Sequence, residues 1–402
     1  MVMFVEIFVA IVVGILAGII TGLTPGIHIN LVSLLVLSAS AFLSQYFEFI
    51  ALGCFIIAMS VVHTFLDAIP SIYLGAPDSD QALGVLPGHR YLLAGHGYVA
   101  LKLTVIGSFG ALILSVFLFP IFIPIVKYGY DLISNYIGYI LVVIVAFMIL
   151  RDNKKLWALF VFILSGVLGF IVLNISGFEN PLFPMLSGLF GISTLIISIN
   201  GNDSMPEQKT DYKLKVPKKI MYKALFSGQV SGFLTAVLPG VGAATAAVLS
   251  LQITRNLGDK GFMILIGSIG TVNFVLSMVT LYVLDKARNG SIIVVQKLVE
   301  NISLNHILIF LSVTLIAGSI GMFLTLKIGK VFSKIISVVN YKKLVLSIIS
   351  SITILVFILT SWLGILVLIV SSAVGLIPAI VKTTRTQAMG CIMFPVILYF
   401  LF

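Results

Sequence analysis

The sequence predicts an all-α, polytopic membrane protein made of two inverted-topology repeats, each a Pro-Gly broken helix pair followed by about five spans. Three observations carry that expectation. Of 402 residues, 60% are hydrophobic and only 9% charged, where a soluble domain carries about 25% charged residues. Continuous apolar runs of about 20 residues, long enough to cross a ~30 Å hydrocarbon core as a helix, recur throughout; alternating ten-residue stretches, the mark of a transmembrane barrel, do not. The third observation is an internal repetition. Shifting the chain by 214 positions brings Gly14, Gly18, Pro25 and Gly26 onto Gly228, Gly232, Pro239 and Gly240.

The elements follow in order. No Lys or Arg precedes Arg90, so the first apolar run lacks the basic start of a secretory signal and is expected to stay in the mature protein. A terminus without positive charge also prefers the outside. The first broken segment, GILAGIITGLTPGIHINLVSLLVLSASAF, covers Gly14 to Phe42. Spans are then expected over 49–74, 99–126, 131–150, 156–176 and 184–200. The stretch from Ala82 to Gly97 is too short and polar to cross, and reads as a cytoplasmic re-entrant or interfacial element. Residues 1–200 thus make the first membrane repeat. Residues 201–223, rich in Lys, read as a solvated cytoplasmic linker. The second repeat, 224–402, opens on GQVSGFLTAVLPGVGAATAAVLSLQ and continues with spans over 262–284, 304–326, 344–360, 365–381 and 386–402. GSFG at Gly107 recurs as GSIG at Gly318, preserving the order of matches.

An odd number of spans after each broken segment inverts the second half relative to the first. The net charge of +10 tests this. With the N-terminus outside, 20 of the 24 basic residues fall on the cytoplasmic side, and only Lys127, Lys286, Arg288 and Lys297 remain outside. The positive-inside rule favours that orientation, and it explains the excess charge without nucleic acid. Cys54 and Cys391, the two cysteines, both sit in apolar segments and cannot build a disulfide framework or a cysteine metal centre.

Pro removes a backbone donor and Gly tolerates helix-ending conformations. Irregular backbone at membrane depth survives where it lines a cavity or is buried in protein. The helix that restarts after each break points its N-terminal amides and positive dipole end into that space, which favours an anion. Paired broken helices in inverted repeats place a substrate site near the midplane in secondary transporters. The flanking residues are therefore candidate substrate ligands: Thr24, Pro25, Gly26, His28 and Asn30 in the first repeat, and Pro239, Gly240, Gly242 and Thr245 in the second. The small residues spaced by four, Gly14, Gly18 and Gly22, then Gly228 and Gly232, read as close helix packing. The span after the first break holds His63 and Asp67 on one helical face, and the loop GAPDSDQ adds Asp78 and Asp80. Ionisable groups within a span are costly and usually functional. These four are the candidate ion-coupling residues, with a structural hydrogen-bonded pair as the alternative for His63 and Asp67.

The motifs TGLTPGIHINLVSLL from Thr21, SIYLGAPDSDQALGVLPGHRYLLAGHGYVAL from Ser71, NPLFPMLSGLFGISTL from Asn180 and AVLPGVGAATAAVL from Ala236 resemble the tripartite tricarboxylate transporter permease family, the TctA-type large membrane subunit, in a short archaeal-like branch. The resemblance implies ion-driven carriage of a carboxylate, typically a tricarboxylate. It also implies two partners, a small membrane subunit and an extracytoplasmic binding protein. Three classes of function stay open on the residues. The first is a secondary transporter of an organic anion coupled to a cation or proton, in the cell membrane, without cofactor or metal. The second is a translocase of an anionic lipid carrier such as a polyprenyl phosphate, since helix N-termini hold phosphate equally well. The third, an intramembrane enzyme using His63, Asp67, Asp78 and Asp80, has no HExxH motif or nucleophile elbow to accompany them, so no catalytic residue is assigned.

Overall fold

The computed structural model describes residues 2–24, 29–74, 85–178, 180–199, 206–211, 214–254, 257–338 and 340–402. The described residues are helical wherever regular structure occurs. In the first half α1 (Val2–Leu23), α2 (Ile29–Ser38) and α3 (Ser40–Leu43) lead into α4 (Phe49–Leu66) and a π-helical turn, Pro70–Leu74. There follow α5 (Val85–Leu93), α6 (Gly97–Ser134), α7 (Ile137–Arg151) and α8 (Lys155–Leu173). The half closes with α9 (Leu182–Leu186), a second π-helical turn (Ser187–Ile192) and α10 (Ser193–Ile199). In the second half come α11 (Lys218–Val237), α12 (Ala243–Thr254), α13 (Gly258–Leu284), α14 (Gly290–Leu298) and α15 (Leu304–Ile336). The chain ends through α16 (Tyr341–Val381), a 3₁₀ turn (Arg385–Met389) and α17 (Gly390–Leu401). Seven of these helical stretches are long and apolar enough to cross a membrane.

Helix starts have local causes. Ser303 and His306 form a reciprocal cap at the head of α15, each side chain bonded to the other's backbone N–H or accepting from it at 3.3 Å. Asn289 and Asn340 accept from Ser291 N and Lys343 N at the heads of α14 and α16. The expected span over 99–126 is part of a longer helix: α6 has 38 residues, about 57 Å at 1.5 Å per residue. Lys127 and Asp131 end its apolar run without ending its backbone hydrogen bonding.

The spans expected over 344–360 and 365–381 are the two arms of α16. Ser361 leaves helical geometry there with φ 56° and ψ −158°. A β-carbon placed on Gly364 would lie 3.2 Å from Val356 Cγ1, whereas eight residues of straight helix separate two positions by about 12 Å. The chain therefore turns back on itself at Ser361.

Two glycine-lined contacts organise the interior. α1 packs on α4 through Gly14, Gly18 and Gly22, whose added β-carbons would lie 2.9 Å from Ala58 Cβ, 2.8 Å from Val62 Cβ and 2.8 Å from Leu66 Cβ. α11 packs on α13 in the same way: Gly228 and Gly232 would meet Ser268 Cβ and Val272 Cβ, each at 2.3 Å. The absent β-carbons let the backbones approach, the usual device of membrane helix pairs. Each central helix is then covered by a long helix of the other half. α6 lies on α13, where Gly107 and Gly267 bring the backbones together and Ser108 donates to Gly267 O at 2.8 Å. α15 lies on α4, where Gly318 and Gly321 sit against Val61, Val62 and Phe65. A separate apolar cluster joins α7, α8, α16 and α17.

Residues 206–211 lie on the α5–α6 turn and are not simply solvated. Gln208 is buried; its Oε1 accepts from Gly97 N at 2.9 Å and its Nε2 donates to Leu92 O at 3.0 Å. α11 begins at Lys218, so its first turns carry the last lysines of that stretch.

Candidate functional site

The first break begins where α1 ends at Leu23, with Thr24 exposed in a bend and donating its N–H to Ile20 O. Pro25, Gly26 and His28 lie outside the described residues, as do Asp78 and Asp80. Across from the end of α1 stands His63: a β-carbon on Gly22 would lie 3.2 Å from the His63 carbonyl oxygen. His63 and Asp67 are buried, one turn apart, and the Asp67 N–H donates to His63 O at 2.9 Å. Asp67 is also where α4 stops being regular. Pro70 has no N–H to continue the ladder, and the chain widens into the π turn, tied to α15 by the Tyr73 hydroxyl at 2.6 Å from Ser333 Oγ. The break in α1 and the irregularity in α4 thus lie side by side. Asn30, on α2, presses against α14, its carboxamide 2.6 Å from the place of a β-carbon on Gly290.

The second break is described in full. α11 ends at Val237, Leu238 is extended, and Gly240 takes φ +77°, the left-handed region where glycine is favoured. α12 restarts at Ala243, and its first backbone bond runs from Ala246 N to Gly242 O at 3.0 Å. The preceding amides have no carbonyl one turn back within their helix. Both sides of the break are protein: Val396 of α17 lies 3.1 Å from a β-carbon on Gly240, and Met389 Cε 2.4 Å from one on Gly242. Thr245 is fully buried, and its hydroxyl points at Met393 Sδ, 3.6 Å away. Pro239 is half-buried. The expected second-repeat residues Pro239, Gly240, Gly242 and Thr245 are therefore together, against the segment 385–396.

Sequence reading missed two features near these breaks. Arg385, counted only as a basic residue of an inner loop, opens the 3₁₀ turn that leads to Met389, and its half-buried guanidinium donates to Thr194 Oγ1 on α10. Asn273 and Ser277 on α13 carry buried side-chain oxygens that have no hydrogen-bond partner among the described residues. Aligning the middle of the halves would have found them, because 273 and 277 follow 63 and 67 by the same 210 positions that separate Ala58 from Ser268 and Val62 from Val272. Two surface clefts, about 290 Å³ beside Glu6 and Glu48 and about 480 Å³ along residues 207–211, are lined by none of the residues at the breaks.

Comparison with known proteins agrees with the motifs. The model of the tripartite tricarboxylate transporter TctA family matches residues 8–390. An uncharacterized protein of Methanocaldococcus jannaschii is 31% identical over 388 residues, 94% of either chain. No solved structure is significantly similar.

Proposed function

The chain belongs to the tripartite tricarboxylate transporter TctA family, and from that premise we propose that it is a secondary active transporter carrying a small organic anion, a di- or tricarboxylate, coupled to a cation or proton gradient. The observation that carries the proposal is the second break. A helix interrupted between Val237 and Ala243, with Val241 and Ala243 buried, aims the free amides of α12 into the protein interior. Amides and dipole together attract a carboxylate there. Thr245 adds a hydroxyl, and Arg385 a cation, on neighbouring segments.

His63 and Asp67 supply the coupling in this reading. Asp67 is buried at the C-terminal end of α4, where an ionisable group inside an apolar span is costly and usually functional, and with His63 it is the group assigned here to the coupling cation or proton. Their place beside the end of α1 means that occupancy of the pair and the geometry of the first break bear on each other. As in the family's tripartite systems, a small membrane subunit and an extracytoplasmic binding protein would deliver the anion.

Reconstitution in liposomes tests both parts. Radiolabelled citrate or malate accumulates against its gradient when Na⁺ or a pH step is imposed. With Asp67→Asn, counterflow of labelled substrate persists while ion-driven accumulation disappears. A merely structural pair predicts instead that both modes fall together with stability, and intact accumulation by Asp67→Asn eliminates the coupling role. Failure of every soluble carboxylate, together with transbilayer movement of a polyprenyl phosphate, would replace the acid by a lipid.

A further inference from the structure

We infer that Asn273 and Ser277 of α13 are ligands of a monovalent metal cation, Na⁺, at a neutral-oxygen site occupying in the second half the place that His63 and Asp67 occupy in the first. The inference rests on the reading of the protein as an ion-coupled carrier and names a residue set for the ion.

The argument begins with helix faces. On α4, Ala58, Val62 and Leu66 face α1, and Val61 and Phe65 face α15. Ile56, Ser60, His63 and Asp67, at steps of four, three and four residues, form a third stripe. On α13, Ser268 and Val272 face α11, and Ile264 and Gly267 face α6. The third stripe is Ile266, Gly270, Asn273 and Ser277, with the same steps. Neither stripe is turned to lipid: Ile56 and Ser60 are 0% exposed, His63 4% and Asp67 5%, and on α13 Ile266 is 1% and Ser277 0% exposed, while Asn273 is half-buried with its Oδ1 atom inside. α4 and α13 also touch one another.

The chemistry follows from what the oxygens lack. Asn273 Oδ1 and Ser277 Oγ are buried and accept or donate no hydrogen bond among the described residues. An unsatisfied buried oxygen of this kind costs about 1–3 kcal/mol; Thr271 Oγ1 on another face of α13 is unpartnered too, but Asn273 and Ser277 stand one turn apart on one face, where they can share a partner. A hard cation, which takes carbonyl and hydroxyl oxygens as ligands, supplies it. A proton does not, because neither Asn nor Ser titrates in the relevant range. A divalent ion is disfavoured because this stripe carries no carboxylate. The α4 stripe, with its His and Asp, holds the titratable chemistry, and the α13 stripe the neutral oxygens.

The test is binding of ²²Na⁺ to the full chain in lipid nanodiscs, with choline as the balancing cation. Wild type binds saturably. Asn273→Leu and Ser277→Ala weaken binding at least tenfold, while Thr271→Val, which removes a buried hydroxyl from another face of α13, leaves it unchanged. The oxygen-retaining variants Ser277→Thr and Asn273→Asp keep binding, the latter severalfold tighter. They decide the matter if the first two fold poorly, since loss of binding in both retaining variants, or an affinity that Asn273→Asp leaves unchanged, overturns the assignment. Wild-type binding that survives Asn273→Leu and Ser277→Ala undiminished overturns it as well and leaves Na⁺ coupling standing with the ion elsewhere. Absence of Na⁺ binding by wild type, with carboxylate uptake still driven by a pH step, overturns this site while the carrier reading stands. Absence of both removes the carrier reading too.

Discussion

At the scale of single residues, the polar groups that matter divide into those the membrane made conspicuous and those it hid. His63 and Asp67 stand out because ionisable groups in an apolar run are rare. Asp152 did not, since Arg151-Asp152-Asn153-Lys154 reads as any charged turn. Yet Asp152 is buried, accepting from Lys154 N at 2.9 Å through Oδ1 and from Thr384 N at 3.0 Å and the Thr384 hydroxyl through Oδ2. Burial pushes its carboxyl pKa up, but the bonds from Thr384 and Lys154 outweigh it and hold the pKa below the ordinary carboxylate value. A depressed folded-state pKa contributes stability that is complete above the unfolded value, about 3.9, and is lost as pH falls through the folded value. Asp152→Asn should therefore lower the thermal midpoint at pH 7, by the equivalent of about 1–3 kcal/mol for hydrogen bonds to a buried charge. The gap between wild type and variant should narrow as pH falls below about 4. A gap that is constant from pH 7 to pH 3 would show that the carboxylate charge is irrelevant to this contact. Legibility fails here for a physical reason: the partner, Thr384, is 232 positions away.

At the scale of elements, what the sequence made plain was periodic and what it concealed was conformational. Glycines spaced by four announced close helix packing without naming its partner, and the α1–α4 and α11–α13 contacts use them. The expected spans end at 360 and restart at 365, on either side of Ser361, but the residue that takes the positive φ is a serine, with the nearest glycine, Gly364, three positions on. Ser361 takes φ 56° and ψ −158°, a region that is nearly glycine's alone and costs of order 1–3 kcal/mol for other residues. Ser361→Gly should accordingly raise the unfolding midpoint in detergent, by about 1 kcal/mol after the extra flexibility of glycine in the unfolded chain is deducted. Ser361→Val should lower it. Equal midpoints for all three would mean that the reversal carries no backbone strain. Similarly, the oxygens of Asn273 and Ser277 were invisible as isolated letters in GTVNFVLSM. They gain meaning only when α4 and α13 are seen to pack on equivalent partners.

At the scale of the whole molecule, the question is whether the two halves are inverted, with the N-terminus outside. Two lines bear on it, the charge on the orientation and the contacts between loops on which loops share a face. The basic residues divide 20 to 4 in favour of one side. Polar contacts between distant loops respect the same division. Glu6 accepts from Glu48 N, and Arg288 donates to Tyr130, all positions assigned outside. Arg90 pairs with Asp259 at 3.5 Å, Lys330 with Asp211 at 4.0 Å, and Asp152 bonds Thr384, all positions assigned to the cytoplasm. The two exposed ion pairs contribute little stability, but all these contacts report which loops are neighbours. Single cysteines introduced at Glu207 and Lys342 should therefore react with a membrane-impermeant maleimide only from the cytoplasmic side, and one at Ser176, in the exposed turn after α8, only from outside. The native thiols, Cys54 and Cys391, are both 0% exposed and should give little background. Labelling of Ser176 and Glu207 from one face would leave the segment from α9 to α10 without a net crossing. The two halves would then share one orientation, and the matching stripes of α4 and α13 could not be related by inversion across the membrane.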